Sequence, residues 1–167
     1  MSNDSSSDIP SRTGSFRAVV RVGDTVVEYS RSGAGRPVVL LGLPSGSGLR
    51  IGLAERFKLV VPETTPPRDF STWLGSFLDG LGLTQVDLVA DGFALSVVEF
   101  ALQEPDRVNR IVLLSFRPGE QDAVDAALAK RDGQPAHPIC IVSPGRPQAA
   151  MVEEVVQFLL GSSASAA

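Results

Sequence analysis

A chain of 167 residues with 43% hydrophobic and 20% charged side chains is long and apolar enough for one domain with a real core. Its formal net charge of −4 offers no basic footprint, which argues against a nucleic-acid partner. One cysteine, Cys140, rules out an internal disulfide, and no apolar run approaches the roughly 20 residues a membrane helix requires.

Met1–Ser15 is rich in Ser, Asp and Gly and is expected to be a disordered leader. It lacks the basic start and apolar centre of a signal peptide, so the expected location is the cytoplasm. Phe16–Val22 and Thr25–Ser30 are β-branched runs joined at Gly23-Asp24, the pattern of a hairpin. Pro37–Leu41 is apolar throughout, as in a strand buried on both faces, and opens into the glycine-rich loop Gly42–Gly48. A short helix is expected over Leu49–Arg56 and a second buried strand over Phe57–Val61, stopped by Pro62. The loop Glu63–Arg68 follows. Phe70, Trp73, Leu74, Phe77, Leu78 and Leu81 then recur at the helical period, with Asp69 or Ser71 as cap and Gly82 as stop.

Val86–Ala90 is a third buried run. It turns sharply at Asp91-Gly92 into an amphipathic helix marked by Phe93, Val97, Phe100 and Ala101, which ends at Glu104-Pro105. Asn109–Leu114, Glu120–Arg131, Pro138–Val142 and Gln148–Leu160 read as strand, helix, strand and helix, and Gly161–Ala167 as a flexible tail. Strands alternating with helices predict a three-layer α/β/α sandwich with a mainly parallel sheet. One domain is expected over residues 16–160, with the leading hairpin as its antiparallel edge.

A strand that feeds a helix through a tight turn sets the turn at the carboxyl end of the sheet, where α/β folds place their chemistry. Asp91 has two readings there. It is either a turn residue whose carboxylate satisfies backbone donors at the next helix, or a functional carboxylate. Ser45 and Ser47 lie in a flexible loop without a base beside them. The amides of Gly42–Gly48 offer an anion cradle but lack the Lys-Ser/Thr ending of a phosphate-binding loop. One histidine and one cysteine make no metal-ligand set, and no cofactor is expected. Cys140, amid Ile and Val, reads as a core residue.

Several stretches together are similar to the α/β-hydrolase superfamily over most of Phe16–Leu160. They are Val26–Tyr29, then Gly33, Gly35 and Pro37 leading into V-V-L-L-G-L-P, F-K-L-V-V-P-E, L-G-L-T-Q-V-D-L-V, and V-E-F-A-L-Q-E-P-D-R-V-N-R-I-V-L-L-S. The resemblance implies a sheet shortened at its C-terminal edge and no lid, since one helix stands between the last two strands. It fails at the chemistry. The family's His-Gly after the third strand reads Leu41-Gly42, and the G-x-S-x-G nucleophile elbow is missing. Counting forward from Leu81-Gly82-Leu83 sets Gly92 at the elbow's apex; counting back from Glu99 and Pro105 sets Asp91 there. In the second register Asp91 matches the carboxylate nucleophile of haloalkane dehalogenases and epoxide hydrolases, with bulky Val89 and Phe93 at the flanking glycine positions. Either nucleophile needs an imidazole base. His137 precedes the strand Pro138–Val142, at the end opposite the elbow and about 16 Å away at about 3.3 Å per residue. Ser143–Pro147 holds no acid.

The expected function is therefore a catalytically degenerate α/β-hydrolase-like protein serving as a binding, scaffold or accessory subunit in a protein complex. A protein partner or a second copy is expected on the edge strand carrying Ile139 and Ile141. The alternative is an active hydrolase of the esterase, dehalogenase or epoxide-hydrolase type, using Asp91 with a partner-supplied or non-histidine base. The expected pocket at the elbow is lined by Gly42, Leu43, Gly92 and Phe116, with Asp91 as the catalytic candidate.

Overall fold

The computed structural model describes residues 15–44, 46–130, 137–142 and 145–161. The expected leader and tail therefore lie outside the described residues, apart from Ser15 and Gly161. A hairpin opens the chain: β1 (Phe16–Val22) and β2 (Thr25–Ser32) turn through Gly23 and pair antiparallel. Val20, Val22 and Val27 face inward while their neighbours face out, as the period of two requires for a strand with one wet face.

Next come β3 (Pro37–Leu41), α1 (Gly48–Ala54), β4 (Lys58–Pro62), α2 (Phe70–Gly80), β5 (Val86–Asp91) and α3 (Ala94–Gln103). After a short 3-10 turn, Pro105–Arg107, follow β6 (Val108–Ser115), α4 (Glu120–Ala129), β7 (Ile139–Ile141) and α5 (Gln148–Leu159). The seven strands form one sheet in the order β1-β2-β4-β3-β5-β6-β7. β2 also runs antiparallel to β4, and every pairing from β4 to β7 is parallel. Contrary to the expectation, β4 runs through Pro62, which pairs with Tyr29. The missing N–H costs the ladder little at a strand's last residue, because the Glu63 N–H resumes it on the Glu28 carbonyl at 2.9 Å.

The central strands are apolar throughout because both of their faces are covered. Val39 and Leu41 point into a cluster with Trp73, Phe77 and Phe100 of α2 and α3. Val38 and Leu40 point the other way, into a cluster with Leu53 of α1 and Val155 and Leu159 of α5. Trp73 and Phe77 stack at 5.4 Å, and Tyr29 meets Phe77 edge-on at 6.0 Å, locking the hairpin to α2.

One charge is buried at the amino end of the sheet. Asp87 is fully enclosed and accepts a hydrogen bond from Asn109 Nδ2 at 3.1 Å. Arg36 Nε stands 3.0 Å from Oδ2, within ion-pairing distance but off hydrogen-bond alignment. Burial pushes the Asp87 pKa up against the pull of Arg36. Arg36 also donates to the Leu159 carbonyl and lies over the Phe57 ring, so it ties the end of α5 to the sheet. No helix among the described residues is long and apolar enough to cross a membrane.

Candidate functional site

The site is built where β5 meets α3. β5 is buried through Ala90 and ends on the half-buried Asp91. Beside it β6 slips by one residue: Ala90 pairs with Leu113, but Asp91 pairs with Ser115, leaving Leu114 as the extra residue of a bulge. The slip brings Ser115 level with Asp91, and the Ser115 hydroxyl donates to Asp91 Oδ1. Gly92 follows with a φ of 78°, and its N–H donates to the Ser115 carbonyl at 3.4 Å. Phe93 is the N-cap residue of α3.

Two glycines make this junction possible. Every positive φ among the described residues falls on glycine, so the left-handed position of the turn belongs to Gly92 and not to Asp91. A Cβ added at Gly92 would meet nothing closer than Arg117 Nε at 3.9 Å, so the turn has room for a side chain it does not carry. Gly42, at the exit of β3 with a φ of 80°, is different. A Cβ there would stand 2.1 Å from the Asp91 carbonyl oxygen, because the two strand ends pass in direct contact.

Asp91 does not cap α3, which corrects the turn-residue reading: Phe93 holds the N-cap position without a side-chain bond. Glu120, the first residue of α4, does the capping instead. Its Oε1 accepts the Leu95 N–H at 3.0 Å, and its Oε2 accepts the Arg117 N–H at 2.7 Å. A carboxylate at a helix N-terminus is favoured by both free donors and dipole. Arg117 itself rests over the Phe93 ring at 4.9 Å, and Phe93 stacks on Phe70 at 6.5 Å.

With Asp91 released from capping, its side chain lines a cavity of about 480 Å³ on the α1–α5 side of the junction. Leu43, Leu49, Leu114 and Met151 form apolar walls, and Asp91, Ser115, Gln148 and Arg146 supply polar groups. Arg146 is matched by Glu154. A second cavity, about 270 Å³, lies between Gly42, Leu43 and Phe93 on one side and Glu63, Thr64 and Thr65 on the other. Of the residues expected to line one pocket at the elbow, Leu43 lines both cavities and Gly42 only the smaller one. Gly92 and Phe116 line neither cavity, and Phe116 packs against the α2–α3 cluster. The bulge explains the exchange: Leu114 shares the α1–α5 side with Val112, and the extra residue brings Ser115 to that side and turns Phe116 to the other.

His137 lies just before β7, at the far end of the parallel sheet. Ile139 is level with Ile111, four residues below Ser115, which is about 13 Å at about 3.3 Å per residue, and His137 is further still. Cys140 is half-buried against the α1–α5 cluster, and burial pushes its thiol pKa up. Ser47 lines the larger cavity, and Ser45 lies outside the described residues. Among the described residues no group of three or more His, Cys, Asp or Glu side chains converges as a metal site.

Solved structures share this architecture. The naproxen esterase of Bacillus subtilis superposes with a TM-score of 0.52 at 18% identity, over 62% of this chain and 44% of that one. The haloalkane dehalogenase of Bradyrhizobium elkani gives 0.51 at 19% identity, over 62% and 42%. The epoxide hydrolase CorEH gives 0.54 at 21% identity, over 90% and 53%. The fold is that of the α/β-hydrolases. This chain thus spans about half the length of these enzymes. No protein-family model matches the sequence, and no curated protein is similar enough to count as a relative. An α/β-hydrolase elbow holds its nucleophile in the strained turn between strand and helix. In this chain the strained residue of the β5–α3 turn is Gly92.

Proposed function

We propose that this α/β-hydrolase-fold chain binds rather than hydrolyses, acting as a binding, scaffold or accessory subunit in a protein complex. The observation that carries the reading is the glycine at the strand–helix turn: Gly92 takes the left-handed position there, with a φ of 78°, and has no side chain to attack with. The carboxylate next to it, Asp91, is engaged by the Ser115 hydroxyl, and His137 sits at the wrong end of the sheet to serve as its base. The edge of the sheet supports a protein partner. β7 is the last strand of the sheet, with no strand beyond it among the described residues, and Ile141 is 46% exposed. Two experiments test the reading. Turnover of short-chain p-nitrophenyl esters, haloalkanes and aryl epoxides is expected to be absent. Size-exclusion chromatography with light scattering is expected to show a dimer or a larger assembly, and a clean monomer with strong ester turnover removes the proposal.

A second reading has its own observation. Asp91 faces an open cavity, as an enzyme with a carboxylate nucleophile requires, and Ser115 beside it adds a hydroxyl at the same strand ends. In that reading a partner supplies the base. Turnover that appears only with the partner present and vanishes in Asp91→Ala supports it.

A further inference from the structure

We propose that the cavity beside Asp91 takes an ammonium ligand: a primary amine on a compact apolar body, with the ammonium group on the Asp91 carboxylate. This rests on the reading of the chain as a binding protein and names the ligand class of that site. The size is right for a small molecule, since about 480 Å³ lies within the usual range of ligand pockets. The walls made by Leu43, Leu49, Leu114 and Met151 call for an apolar body.

Charge selects the head group. Among the described residues two charged side chains line the cavity, Asp91 and Arg146, and they differ in one respect. Arg146 is neutralised by Glu154, whereas Asp91 has no cation within ion-pairing distance among the described residues. Arg117, the guanidinium next along the chain from Ser115, is occupied over the Phe93 ring. The positive end of α3 is already answered by Glu120, so it does not offset Asp91 either. The cavity therefore carries one uncompensated negative charge among apolar walls, a situation that favours a cationic ligand.

The hydrogen-bond inventory points the same way. A carboxylate offers about four acceptor sites, and the Ser115 hydroxyl uses one of them. With its proton committed to Asp91, Ser115 Oγ presents only lone pairs to the cavity. Gln148 also lines the cavity, with an amide that can accept or donate. An ammonium group brings three donors and no acceptor, which suits the free acceptor sites of Asp91 and Ser115. A carboxylate ligand meets like charge. A neutral alcohol fits the walls but leaves the charge of Asp91 unanswered.

The test is a calorimetric titration of the purified full-length chain at pH 7 with three probes that share one body: 2-phenylethylamine, 2-phenylethanol and 3-phenylpropionate. The amine is expected to bind at least about tenfold more tightly than the alcohol, the margin of a charge-assisted over a neutral hydrogen bond, and the acid not at all. Asp91→Asn is expected to bring amine affinity down to that of the alcohol. Leu114→Trp, which fills the cavity from another side, is expected to weaken amine and alcohol alike. Equal binding of amine and alcohol by the wild-type chain overturns the inference, whatever the variants do. So does amine binding that survives Asp91→Asn, or no binding of any probe. Ester turnover is followed on the same samples. Turnover in the wild type refutes the binding reading even if the amine is preferred, and loss of amine preference without turnover refutes the ligand class alone.

Discussion

At the scale of single residues, Asp87 makes a prediction about pH. Its carboxyl is enclosed, its pKa is raised by burial, and Arg36 is too poorly aligned to compensate fully. A carboxyl whose folded pKa lies above its ordinary value of about 3.9 keeps its proton in the folded state after the unfolded chain has lost it. Its contribution to stability is greatest below that ordinary value and falls as pH rises through the folded pKa. Asp87→Asn cannot titrate, so the stability of wild type relative to this variant is expected to decline from about pH 4 upward. Urea denaturation of both proteins at several pH values checks the slope, and a difference that grows with pH contradicts the account.

The two glycines of the junction make a contrasting pair. Gly92→Ala introduces only the left-handed backbone cost, about 1–2 kcal/mol, because the space around it is open. Gly42→Ala adds the same strain and a clash with the Asp91 carbonyl oxygen, a backbone atom that cannot move without disturbing the turn. Its loss of stability is expected to exceed that of Gly92→Ala clearly, and denaturation midpoints of the two variants decide it. The need for glycine at Gly92 is visible in the sequence as an Asp-Gly turn. The need at Gly42 is not, since it depends on two strand ends 50 residues apart in the chain coming into contact.

At the scale of elements, α3 is held by its core face and by a borrowed cap. Phe100 is fully buried against α2, and Phe100→Ala is expected to cost about 3–5 kcal/mol. Glu120→Ala leaves the Leu95 and Arg117 N–H groups without their acceptor and is expected to cost about 1 kcal/mol, read as a lower denaturation midpoint. These elements also mark what the sequence can and cannot tell. The buried runs at Pro37–Leu41 and Val86–Ala90 and the stop at Glu104-Pro105 were legible, because apolar periodicity and proline act locally. The Glu120 cap was not, because a carboxylate 25 residues from Leu95 leaves no local signal. The β6 bulge was not either, since a bulge is a property of cross-strand register. Missing it misplaced Phe116 and hid Ser115, the residue that holds Asp91.

At the scale of the whole molecule, a sheet covered on both faces holds one strand–turn–helix junction open at its carboxyl end, with Asp91 beside a cavity and Gly92 in the strained turn. The fold was legible because its motifs follow one another in a fixed order, while the cavity was not, since it is assembled from the loop after β3 together with α1, β5, β6 and α5. The other end of the account is the β7 edge, where Ile141→Lys is expected to shift an assembly toward monomer in light scattering by placing a charge on the unpaired strand. The central claim is that the junction binds and does not hydrolyse. It is tested most directly by following p-nitrophenol release from p-nitrophenyl acetate and butyrate with wild type and Asp91→Ala side by side. The account predicts no release above the uncatalysed rate from either protein, and reproducible wild-type turnover that Asp91→Ala abolishes would contradict it.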